Sequence, residues 1–97
     1  MELTGRDRRV AREILTYLIK HPEAKDSLAG IHNWWLQEPD QCSDKEVRRA
    51  AEALVERGLL SIRESSPGSL IFGPTEEFLR APQLFLHEFA ESSDRTQ

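Results

Sequence analysis

Apolar residues recur along the first part of the chain with a helical period. Val10, Ile14, Tyr17 and Leu18 stand at i, i+4, i+7 and i+8, and Leu15 and Ile19 widen the stripe. A first helix is expected there, capped by Thr4 with Asp7 near its N-terminus. It ends at His21-Pro22, because the residue before proline is held out of helical geometry. Residues 22–25 read as a connector. Asp26 or Ser27 then caps a short second helix, with Leu28, Ile31 and Trp35 on one face and Trp34 and Leu36 beside them. Gly30 lowers helix propensity there by about 1 kcal/mol relative to alanine. Close approach to a neighbouring helix is one physical reason for it.

After a turn over residues 38–42, Ser43-Asp44-Lys45-Glu46 forms a capping box. The Ser43 hydroxyl and the Glu46 carboxylate each satisfy an end-of-helix N–H. Val47, Ala50, Ala51, Leu54 and Val55 follow at i, i+3, i+4, i+7 and i+8, and Gly58 stands where a left-handed cap closes a helix. Residues 59–64 read as a strand, Ser65-Ser66-Pro67-Gly68 as a turn, and residues 69–72 as the returning strand. Gly73-Pro74 breaks it. Thr75 caps a further helical segment with Glu76 and Glu77 placed against the dipole, and Pro82 splits that segment, opening a last helix over about residues 82–91. Residues 92–97 are polar and read as a frayed tail. The expected architecture is one mainly α domain over residues 1–97: a three-helix core with a two-stranded hairpin over about residues 5–74, then a C-terminal helical segment over residues 75–91.

Charge changes this picture more by its distribution than by its net value of −4. Residues 1–25 hold six basic groups against four acidic ones, residues 43–58 and 59–74 each balance, and the acidic surplus lies in residues 26–42 and 75–97. That is not the strongly basic balance of an obvious nucleic-acid binder. No apolar run approaches the roughly 20 residues of a membrane span, and residues 1–5 do not read as a secretory leader. The single Cys42 has no internal disulfide partner, which fits a reducing, cytoplasmic setting.

The order of helix, short helix, turn, capped helix ending in glycine and hairpin resembles the winged helix-turn-helix superfamily. The stretch that carries the likeness runs from Ser43-Asp44-Lys45-Glu46-Val47-Arg48-Arg49 to Leu54-Val55-Glu56-Arg57-Gly58-Leu59-Leu60. It looks like a recognition helix running into a first wing strand, and residues 65–69 are similar to a wing tip. The chain also looks like small stand-alone bacterial winged-helix proteins. The resemblance covers about residues 8–74. It implies a fold more firmly than a task, since the superfamily includes DNA-binding transcription regulators and modules that contact only protein.

On that likeness the first half of the third helix would enter the major groove. A helical wheel turns Lys45, Arg49, Glu52 and Glu56 outward with Arg48 on the flank, so the face is basic first and acidic later. Lys45, Arg48 and Arg49 are the candidate base and phosphate contacts, with Arg63, Ser65 and Ser66 of the wing near the backbone. The alternative is a solvated face laced by pairs such as Arg48 with Glu52. Arg6, Arg8, Arg9 and Arg12 are a second basic cluster, either reaching flanking phosphates or simply solvated. Trp35 is expected in the core; Trp34 either packs over the C-terminal segment or stays partly exposed, with core or inter-element packing favoured over a binding hot spot.

Leu84, Phe85, Leu86 and Phe89 crowd the last helix. They are expected either to form a homodimer contact or to cap the core beside the first helix. Cys42 precedes the capping serine, where it staples onto Val47; a thiol activated by the helix N-terminus is the less favoured reading. His21, His32 and His87 have no metal-ligand spacing, and no phosphate loop or nucleophile elbow is present, so neither cofactor nor metal nor catalysis is expected. Two functions remain: a DNA-binding regulator acting on duplex DNA as a dimer, or a protein-interaction module on the same scaffold.

Overall fold

A computed structural model describes residues 5–89. The expected Thr4 cap, the last residues of the final helix and the tail over residues 92–97 lie outside the described residues. Helix α1 (Gly5–Lys20) buries Val10, Ala11, Ile14, Leu15 and Leu18 along one side and stops at the residue pair before Pro22. Ser27 caps α2 (Leu28–Gly30), its hydroxyl accepting from the Gly30 N–H at 3.2 Å. This turn runs straight into a π-helical stretch (Ile31–Trp35). The wider π turn keeps Ile31 and Trp35 nearly over one another and swings Trp34 away from that face. Trp35 is accordingly buried and stacks on Tyr17 with centroids 5.0 Å apart. Of the two expectations for Trp34, packing or partial exposure, the structure shows exposure, at 74%.

A 3-10 turn (Pro39–Gln41) leads into α3 (Asp44–Glu56). Its capping box forms as expected: the Ser43 hydroxyl accepts from the Glu46 N–H at 3.1 Å, and the Ser43 N–H donates to the Glu46 carboxylate at 3.0 Å. Val47, Ala50, Ala51 and Leu54 are buried against α1, where the small side chains of Ala11, Ala50 and Ala51 let the two helices approach. Gly58 takes φ 78°, the left-handed cap.

Strands β1 (Leu60–Ser66) and β2 (Ser69–Pro74) form an antiparallel hairpin in which Ile62 faces Phe72 and Glu64 faces Leu70. The turn is shorter than expected, only Pro67 and Gly68, because the strand continues through Ser66 past an irregularity between Glu64 and Ser66. Residue 26, read as part of a cap, does something further: the Asp26 N–H donates to the Phe72 carbonyl at 3.0 Å, and the Phe72 N–H donates back at 2.7 Å. One residue of the connector thus lies beside β2 as a third, minimal strand. Gly30 is also explained here, and not by a neighbouring helix: the Asp26 carboxylate fills the space a Cβ would need.

Thr75 caps α4 (Glu76–Arg80), accepting from the Phe78 N–H at 3.1 Å, and α5 (Pro82–Glu88) follows. Phe78 and Phe89 close the core beneath them. Each fully buried Leu, Ile or Phe contributes about 1.5–3 kcal/mol, against about 0–1 kcal/mol for an exposed ion pair. The buried core, rather than the surface ion pairs, therefore holds this fold. No helix among the described residues is long and apolar enough to cross a membrane.

Candidate interaction surface

The capping box fixes the start of α3, and with it the direction of every side chain on that helix. Lys45, Arg48, Glu52 and Glu56 are exposed, as the wheel requires. Arg49 leans toward the α1–α3 seam, with its side chain 42% exposed. Its Nε lies 3.4 Å from a carboxylate oxygen of Asp7, which is 1% exposed in the α1–α3 seam. The physical reason is that a charge inside the protein is costly unless an opposite charge approaches it. Arg49 is partly engaged by Asp7, so the exposed cations of the expected DNA face are Lys45 and Arg48, with Glu52 directly behind them.

The basic cluster at the start of α1 is likewise engaged with the chain itself. Arg6 pairs with Glu46 at 2.7 Å and donates to the Gln41 carbonyl. Arg8 donates to the Glu88 carbonyl at 2.6 Å and lies over the Phe89 ring, and Arg9 reaches Glu13 at 3.6 Å. The Ser43 N–H chiefly, and Arg6 after it, hold the Glu46 carboxyl below its ordinary value against the opposing effect of burial.

Between α2, α3 and the hairpin lies an open groove of about 530 Å³. Leu28, Ile62, Leu70 and Phe72 supply its apolar surface; Arg48 and Glu52 stand on its α3 wall; Ser27 and Ser65 lie at its margins. Ile62 is 44% and Leu70 45% exposed, and they occupy neighbouring positions on one face of the hairpin. Because Phe72 exchanges its backbone bonds with Asp26, its partner Ile62 sits in a non-bonded pair of the β1–β2 ladder. The Ile62 N–H and C=O therefore point away from β2, along the outer edge of β1. Arg63 projects to the opposite face, beside Lys25 and Ile71. Arg48 and Arg63 thus lie on different sides of the hairpin sheet and do not merge into one basic surface; Ser65 and Ser66 are exposed near the tip.

The C-terminal residues divide. Phe89, expected either at a dimer contact or capping the core, is fully buried in the core, with the Arg57 and Arg8 guanidinium groups over its ring at 5.1 and 5.8 Å. Phe85 and Leu86 are half-buried against the same core. Only Leu84 of the four stays open, at 65% exposure. Cys42 packs against the core, and its thiol is pushed up, by burial first and then by Glu13 and Glu46. That is the reverse of an activated thiol. Among the described residues no group of three or more His, Cys, Asp and Glu side chains is placed to hold a metal ion.

Comparison with protein-family models, with curated proteins and with solved structures returned no match. The surface must therefore be read from its own chemistry. The groove role of Leu28, Ile62 and Leu70 was not expected from the sequence. The signal was present in the alternation of Leu60 with Ile62 and of Leu70 with Phe72, which places all four on one hairpin face.

Proposed function

We propose that this chain is a winged-helix binding module whose working face is the groove between α2, α3 and the hairpin, and that its partner is a protein segment in extended conformation. The order of elements supports the winged-helix assignment. One observation carries the choice of partner: the α3 wall of the groove is electrically balanced, Arg48 beside Glu52, and it borders exposed Ile62 and Leu70. A duplex would demand a continuous run of cations there, and it would leave these apolar groups without a partner. The outward N–H and C=O of Ile62 suit a strand added to β1, with alternate side chains entering the groove.

Selection of displayed random peptides against the protein tests this. Selected peptides should be apolar at alternate positions and should lose binding to an I62K/L70K variant that melts like the parent. Peptides that bind the variant equally well would overturn the groove as the working face.

A second reading keeps duplex DNA as the partner and transcription regulation as the role. Lys45 and Arg48 are both exposed on the first half of α3, where a recognition helix meets the major groove. Titration of duplex DNA at low and at physiological salt separates the two. DNA binding carried by this face weakens and loses part of its salt slope in R48E. The protein reading expects only weak, non-specific association with no dependence on Arg48.

A further inference from the structure

His32, half-buried on the π-helical stretch, touches three acceptors. Its Nδ1 lies 2.7 Å from the Asp44 carboxylate at the start of α3. Its Nε2 lies 2.9 Å from the Pro39 carbonyl and 2.9 Å from the Cys42 carbonyl. One ring thereby joins the second helical segment, the 3-10 turn and the first residue of α3. Neutral imidazole carries a single N–H and can serve only one of its two sides. With the proton on Nδ1, the Nε2 lone pair faces two carbonyls; with the proton on Nε2, the Nδ1 lone pair faces a carboxylate. Imidazolium alone donates on both sides and satisfies every acceptor in this arrangement.

We propose that His32 is a proton-operated latch that ties residues 31–42 to the N-terminal end of α3. Closed, it is the imidazolium, bridged to Asp44 on one side and to Pro39 and Cys42 on the other. On losing its proton it releases one of those sides, and the turn and the helix start are free to separate. Asp44 is the charged group set against the ring, and the other facing groups are the two carbonyls. The Cys42 thiol lies on the α1 side, in a small pocket with Arg6, Arg9 and Glu13.

The proton affinity of the ring agrees with this geometry. The Pro39 carbonyl raises the His32 pKa above the ordinary 6.5, burial opposes it, and Asp44 and the Cys42 carbonyl add to the rise. A folded-state value above the unfolded one means that the latch stabilises fully below the unfolded pKa. Its contribution is lost as pH rises through the raised folded value.

NMR titration of the three assigned histidine rings, with the backbone amides of Asp44 and Lys45 followed in parallel, tests the latch. The expected result is a His32 midpoint above the ordinary histidine value, with both amides moving at that same midpoint. In D44N the midpoint should fall, and the Asp44 side chain is 89% exposed, so that variant keeps its fold. Thermal melts should show the parent losing Tm, relative to H32Q, as pH rises through the His32 midpoint. A His32 midpoint at or below the ordinary value would overturn the proposal, as would Asp44 and Lys45 amides that ignore the histidine.

Discussion

Asp7 and Arg49 form an ion pair across the α1–α3 seam, with the carboxylate inside the protein and the guanidinium part-way into solvent. Removing Arg49 takes one cation away from a buried carboxylate, while removing both groups leaves no carboxylate charge there. R49A should therefore cost about 1–3 kcal/mol, below the full value of a buried pair because the arginine is partly solvated. The D7N/R49A double variant should recover part of that loss. Urea midpoints of the two single variants and the double variant measure the coupling, and additive losses would show that the pair does not interact.

Phe89 and Leu84 sit on the same short helix and should behave oppositely. F89A removes a buried ring and should cost about 3–5 kcal/mol. L84S touches exposed surface and should stay within about 0.5 kcal/mol of the parent. If the last helix makes the expected homodimer contact, L84S lowers the mass measured by sedimentation equilibrium and removes the dependence of Tm on protein concentration. A monomeric parent removes the dimer.

Gly58 is needed for its backbone. An L-residue at φ 78° is strained, so G58A should destabilise the protein by about 1 kcal/mol. Differential scanning calorimetry against the parent reads this directly. An unchanged Tm would place the α3 terminus in another conformation.

The depressed Glu46 carboxyl predicts an acid limb. Its stabilising effect is present above the ordinary glutamate value of 4.5 and is lost as pH falls through the lower folded value. In E46Q that part of the pH dependence should flatten, and chemical denaturation across the acid range measures it. An identical acid limb in both proteins would count against the Ser43 and Arg6 contacts.

Much of the fold was legible because it rests on local rules. The capping box at Ser43, the helical stripe from Val47 to Leu54 and the Gly58 stop are each written within a few residues. What stayed hidden depends on partners far along the chain. Nothing near Arg49 says that Asp7, forty-two positions earlier, will draw it inward. Nothing near Phe89 says that Arg8 and Arg57 will lie over its ring. A wheel ranks side chains by direction alone, and it cannot say which outward-leaning cation will find a buried anion. The side of Trp34 stayed open for a different reason: one π turn changes the angle per residue, and no residue in 31–35 announces it.

The two backbone bonds between Asp26 and Phe72 have a mechanical consequence. A hairpin held only at its base swings like a flap. This one is also moored along the side of β2 by the link between the first two helices, so its tilt relative to the helical body is fixed. An incoming chain would find the cleft already shaped, and little ordering entropy would remain to be lost on docking.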